Sequence, residues 1–156
     1  MGLNEEMMKT ALTAASECLK EDEVPVGAVV CRNGEIVGVG RNRRERGKNA
    51  LYHAEIEAID NACKALGGWR LWECEMFVTL EPCPMCAGAI INSRIKKVTF
   101  GAYDKKNGAC GSVIDLFSLP FNHRPEVEGG FMEEECSKIL SEFFLELRNK
   151  KEKNNE

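Results

Sequence analysis

Two short runs, Tyr52-His53-Ala54-Glu55 and Glu81-Pro82-Cys83-Pro84-Met85-Cys86, constrain this chain more than any other feature. They hold one of its two histidines and its only close cysteine pair. One histidine and two cysteines are three zinc-type ligands, and three protein ligands leave a fourth tetrahedral position open, as in catalytic rather than structural zinc sites. A fold that uses them together must bring His53 to Cys83 and Cys86.

Spacing says how. A helical residue turns by ~100°, so Cys83 and Cys86 project from one face and can share a metal. His53 and Glu55, two apart, serve one site only at a helix start, where side chains splay around the first turn. A helix N-terminus also carries partial positive charge, which favours the thiolate form of cysteine. Two thiolates cancel the charge of zinc, so a nearby carboxylate is needed to move protons. Glu55 is the first choice. Glu57, four after His53, is an alternative as a fourth ligand, and Glu81 is an alternative as the base.

The 156 residues make one domain, residues 1–156, with 44% hydrophobic and 29% charged content, ordinary values for a soluble globular chain. The longest apolar runs, such as Val24 to Cys31, are too short to span a bilayer, and Met1 to Lys20 carries charges throughout. A cytoplasmic protein with no membrane partner is expected. Of the eight cysteines, Cys18, Cys31, Cys63, Cys74, Cys110 and Cys136 stand singly and read as small buried hydrophobes. Net charge is −4, yet Arg41, Arg43, Arg44, Arg46 and Lys48 fall together, and further basic groups recur at 94–97, 105–106 and 148–153. Gathered on one face, they would bind a phosphate backbone.

Along the chain, apolar spacing of three and four predicts a helix from Asn4, as its cap, to about Glu21. Val24–Cys31 and Glu35–Gly40 read as a hairpin around Asn33-Gly34. Residues 41–51 read as a loop, followed by a helix from His53 to Leu66 that stops at Gly67-Gly68. A strand at 75–80, a helix at 83–93 opened by prolines, and a strand at 97–102 follow. A glycine-punctuated loop, a short helix at 113–117, an extended piece at 124–128 and a helix from Met132 to about Lys151 complete the chain, with a disordered tail at 152–156. Alternating strands and helices imply an α/β layer structure.

The pattern His53-Ala54-Glu55 with Pro82-Cys83-Pro84-Met85-Cys86 resembles the zinc-dependent nucleoside and nucleobase deaminases. Val24-Pro25-Val26-Gly27-Ala28, Arg41-Asn42-Arg43, Val78-Thr79-Leu80-Glu81, Ser93-Arg94-Ile95, Phe100-Gly101-Ala102, Asn122-His123-Arg124 and Phe143-Phe144 are similar to the bacterial tRNA adenosine deaminase branch. That resemblance covers almost the whole chain. It implies a cytidine deaminase-like three-layer α/β/α fold with a mixed five-stranded sheet, a homodimer, and conversion of the wobble adenosine of an arginine tRNA anticodon to inosine. It implies one zinc ion per subunit on His53, Cys83 and Cys86, with Glu55 as proton shuttle in preference to Glu57 and Glu81. It further implies substrate contacts at Val26, Asn42, Ala54 and Asp104, and anticodon-loop contacts at Lys106, Asn122, Phe144 and Arg148. Phe143 and Phe144 are adjacent on a helix and are not expected to face one groove together. His123 is expected in a structural hydrogen bond. A deaminase of a free base such as guanine, or of a cytidine derivative, is the nearest rival, and a silent zinc or RNA-binding module a further one. Tyr52, bulkier than its counterpart in many relatives, is expected to narrow the pocket or alter the stacking of flanking nucleotides.

Overall fold

Asn33 and Gly34 both take positive φ, 50° and 80°, the two-residue hairpin geometry that an Asn-Gly pair favours. This turn joins β1 (Gly27–Arg32) to β2 (Glu35–Arg41). The computed structural model describes residues 2–155. Pairing in the hairpin starts at Gly27, three residues later than the apolar run predicts, because Pro25 has no amide to give to a ladder. A register shift between Val30 and Cys31 bends the hairpin.

Five strands form one sheet in the order β2-β1-β3-β4-β5, with β3 at Cys74–Leu80, β4 at Lys97–Ala102 and β5 at Glu126–Glu128. Strand β1 runs antiparallel to β2 and to β3, whereas β3, β4 and β5 run parallel, so the sheet is mixed. Parallel neighbours need a crossover, and α4 (Pro84–Ser93) supplies it between β3 and β4.

Helices cover both faces. Gly27 lies directly under Ala11 and Ala15 of α1 (Leu3–Cys18), and Gly101 of β4 lies under Cys136 of α5 (Glu133–Asn154). On the other face Gly38 and Gly40 of β2 admit the backbone of α3 (Ala54–Leu66), which packs beside α4. The core between these layers is Val29, Val30, Met76, Phe77, Val78, Ile90, Ile95, Val98 and Phe100 with the alanines of α1 and α3. The expected three-layer α/β/α architecture is therefore present. No helix among the described residues is long and apolar enough to cross a membrane.

Several boundaries differ from the expectation. Asn4 lies inside α1 instead of capping it; the cap is Gly2, whose carbonyl accepts from the Glu6 amide. Residues 19–21 form a tighter 3₁₀ turn closed by Asp22 in the left-handed region. Residues 113–117 do not form a helix: the 3₁₀ turn is Leu116–Ser118, where Asp115 accepts from the Phe117 amide. Helix α5 continues to Asn154, past the expected end at 151, and Glu156 of the expected tail lies outside the described residues. Within 41–51, expected as a loop, one helical turn forms, α2 (Arg44–Gly47).

Candidate metal centre and its flanking loops

His53 is the N-cap of α3 and Cys83 the N-cap of α4, both with extended backbone. Because α3 and α4 pack side by side, their starts converge. The His53 Nδ1 atom is 3.6 Å from the Cys83 Sγ and 3.6 Å from the Cys86 Sγ. These residues are the one group of three or more candidate ligands found among the described residues, with all ligand atoms within 4.8 Å of one another. Tetrahedral zinc with bonds of about 2.3 Å to sulfur and 2.0 Å to nitrogen separates its N and S ligands by about 3.5 Å. The donor set and its spacing thus fit zinc with a fourth position left over.

The electrostatics agree. Donation from the Cys86 thiol, with help from His53, holds the Cys83 thiol down at about 4. The same hydrogen bond together with burial drives Cys86 up, so without a cation the pair shares one proton. His53 is raised, chiefly by its hydrogen bond to Cys83. Glu55, in the first turn of α3, is 4% exposed and faces the same cluster. Burial pushes its carboxyl up to about 7, with the Cys83 charge acting in the same direction. A carboxyl poised there both accepts and returns a proton near neutral pH.

The two alternatives to Glu55 are engaged elsewhere. Glu57 takes a two-pronged ion pair from Arg43, Nε to Oε2 at 2.7 Å and Nη2 to Oε1 at 3.0 Å. Glu81, 2% exposed, accepts from the amides of Asp104, Cys110 and Ser112 at 3.0–3.1 Å and from the Ser112 hydroxyl. It anchors the loop that follows β4. Sequence reasoning missed this role; the signal available was an acid enclosed between the apolar run ending at Leu80 and Pro82.

The remaining site residues fall into two groups. Val26, Asn42 and Ala54 are buried around the entrances of β1, α2 and α3. The Asn42 amide donates to the Val24 carbonyl at 3.1 Å and its oxygen accepts from the Arg44 amide at 3.3 Å. Asp104 accepts from the amides of Lys106 and Asn107, which shapes a turn bearing the exposed Lys106. Asn122 and Arg148 are exposed, and Phe144 is 45% exposed. A cleft of about 630 Å³ separates α5 from α2 and the α1–β1 connection. Contrary to the expectation from helical spacing, Phe143 and Phe144 both line it, their rings edge to face at 5.4 Å; ~100° of helical rotation is small enough for two long side chains to reach one broad cleft from either side.

His123 makes a structural hydrogen bond, as expected: its Nε2 is 2.7 Å from the Ile95 carbonyl, which fits a donated hydrogen bond, and the ring stands edge-on to Trp72. The Tyr52 ring lies against Gly47, so it supports the α2 turn. All eight cysteines are free; among the single ones, burial raises Cys31 to about 11 and Cys136 to about 12.

Known proteins resemble this chain in sequence and in fold. A family profile described as MafB19-like deaminase matches residues 3–148. The tRNA-specific adenosine deaminase of Bacillus subtilis (strain 168) is 50% identical over 152 residues, 97% of this chain and 94% of its own. The tRNA-specific adenosine deaminase of Aquifex aeolicus (strain VF5) is 45% identical over 146 residues, 93% and 96% of the two chains. A solved structure from studies of A-to-I editing by tRNA:A34 deaminases at the wobble position of transfer RNA superposes with a TM-score of 0.84 at 42% identity, covering 87% of this chain and 99% of that one.

Proposed function

Because this chain belongs to the MafB19-like deaminase family, in the group of tRNA-specific adenosine deaminases, we propose that it hydrolyses the wobble adenosine, position 34, of an arginine tRNA anticodon to inosine and ammonia. The observation that carries the reading is the convergence of His53, Cys83 and Cys86 beside a buried Glu55, in a chain half identical to a tRNA-specific adenosine deaminase.

His53, Cys83 and Cys86 would hold one zinc ion, which supplies Lewis acidity toward a water in the open position. Glu55 takes a proton from the attacking water and gives it to the purine N1 as the C6–O bond forms. It then moves the remaining hydroxyl proton to the amino nitrogen, which leaves as ammonia while C6 becomes a carbonyl. The helix start of α3 holds Glu55 in place, and burial keeps its proton affinity near neutral. Val26, Asn42 and Ala54 would enclose the purine nucleoside, Asp104 its ribose side. Lys106, Asn122, Phe144 and Arg148 would hold the loop strands, by charge and by stacking.

A homodimer in the cytoplasm completes the proposal. Helix α4 carries no charged residue, yet Met85, Gly88, Ala89 and Ile91 are only partly buried. A helix apolar all round belongs inside a structure, and a second copy would cover its outer side. Sedimentation should therefore give twice the 17.4 kDa chain mass.

The deciding experiment offers an adenosine-34 anticodon stem-loop, free guanine and cytidine to the zinc-loaded protein. Ammonia release from the hairpin alone is expected. Turnover of guanine or cytidine with none of the hairpin would replace this reading with the free-base one.

A further inference from the structure

The basic run at 41–48 is divided by the fold. Arg41 pairs with Glu21 at 2.8 Å and Arg43 with Glu57, so both charges are spent within the protein. Arg44 and Arg46 are exposed and make no ion pair among the described residues. Both line the cleft opposite Phe143, Phe144 and Leu147 of α5. Of the acids on that cleft, Glu21 is held by Arg41 and Asp22 lies 3.5 Å from Lys150, which leaves Glu45 alone against two guanidinium groups. The α2 turn is tied to the segment that leads into His53, since the Arg43 amide donates to the Tyr52 carbonyl at 3.0 Å and the Tyr52 ring lies against Gly47.

What holds the two arginines there is a carboxylate far from them in sequence. Glu23 is fully buried, and both its oxygens accept from the Glu45 amide, at 2.7 and 3.0 Å, with one also receiving the Arg46 amide at 3.4 Å. Asn42 takes the Arg44 amide, so every free amide of the turn's first three residues is accounted for. A turn of four residues has too few internal hydrogen bonds to persist alone. The buried charge is offset by backbone amides, and no side-chain cation pairs with it among the described residues.

We propose that Glu23 is a positioning residue for RNA: by gripping the Glu45 and Arg46 amides it sets Arg44 and Arg46 over the cleft, where they bind phosphates flanking the nucleotide that enters the metal centre. Aromatic side chains facing arginines suit a single-stranded loop, whose bases stack while its phosphates take the charge. The inference rests on the RNA substrate proposed above.

The test measures hairpin affinity by fluorescence anisotropy, and single-turnover deamination across RNA concentration, for the zinc-loaded wild type, Glu23→Gln, Arg44→Ala/Arg46→Ala and the triple variant. Glu23→Gln is expected to weaken binding about tenfold with the saturating rate within twofold. It should flatten the slope of log affinity against log salt by about 0.7 for each phosphate that is no longer neutralised. The arginine variant alters only exposed side chains and should reproduce both effects. Glu23→Gln should add little on top of it, because it acts through those arginines. Equal affinity of wild type and Glu23→Gln, or fully additive losses, would overturn the inference and leave the reaction standing. Hairpin binding without turnover, with the Glu23→Gln loss intact, would overturn the reaction alone, and no hairpin binding by the wild type would overturn both.

Discussion

Arg43 grips Glu57 through two parallel hydrogen bonds, 2.7 and 3.0 Å, and thereby holds the one carboxylate four residues beyond His53 away from the candidate metal centre. Glu57 sits on the same helix face as a ligand, yet its oxygens are committed to a guanidinium. The three-ligand character of the centre follows from that pair as much as from His53, Cys83 and Cys86 themselves.

Metal content separates ligand from bystander. Glu57→Gln is expected to retain one zinc per chain by elemental analysis, whereas Cys86→Ser should lose most of it. The Arg43 pair is partly exposed, so its removal should lower stability by only about 1 kcal/mol in denaturant unfolding.

For the proposed proton shuttle, Glu55→Gln keeps the shape and removes the basicity. Deamination of the hairpin is expected to fall by at least about 10²-fold, the lower range for loss of a general acid–base group, with zinc and RNA binding retained. Loss of zinc in this variant would make Glu55 a ligand and the mechanism wrong.

Chelation should expose the cysteine pair unequally. With the metal removed, Cys83 is a partly exposed thiolate, held well below its ordinary value by the Cys86 and His53 hydrogen bonds, while Cys31 and Cys136 are raised and buried. Iodoacetamide at pH 7 should label Cys83 first by peptide mass spectrometry. Zinc added beforehand should protect it.

Glu81 tests the loop that carries Asp104 and Lys106. Glu81→Ala strands the buried Cys110 amide and removes the acceptor of the part-buried Asp104 and Ser112 bonds, and an unsatisfied buried donor costs about 1–3 kcal/mol. A loss of stability of about 1–3 kcal/mol is expected, read as a lowered urea midpoint. A midpoint unchanged from wild type would mean that the anchor is dispensable.

Gly40 sets the approach of β2 to α3. A Cβ there would run into the Ala54 carbonyl and the Ala58 amide, both backbone atoms that cannot turn aside. Gly40→Val should therefore destabilise by about 1–3 kcal/mol or more, and because Ala54 follows His53, zinc affinity should fall with it.

Much of the fold is legible in the sequence because its signals are local. The Asn33-Gly34 turn, the apolar spacing of α1 and α3 and the prolines opening α4 act over a few residues, and each element appears close to where the sequence predicts it. Two features escape these local signals because a distant part of the chain intervenes. The α2 turn escapes a local reading because Glu23, which accepts from its Glu45 and Arg46 amides, lies on the far side of the hairpin. The place of Phe143 on the cleft escapes one too, because helical spacing alone does not say how wide a neighbouring groove is.

By itself the sequence determined the ligand types, their placement at two helix starts, and the alternation of strands and helices, since periodicity, caps and turn residues operate within single elements. The resemblance named Glu55 among three carboxylates, but only the tertiary structure decided what engages Glu57 and Glu81 and which arginines remain free. Those outcomes depend on pairings between residues 14 to 31 positions apart, Arg43 with Glu57, Glu23 with the α2 amides and Glu81 with the loop to Ser112. Burial makes the Glu23 and Glu81 pairings obligatory, because a buried carboxylate without donors is too costly to leave, and no local pattern encodes which donors the fold will bring to any of the three.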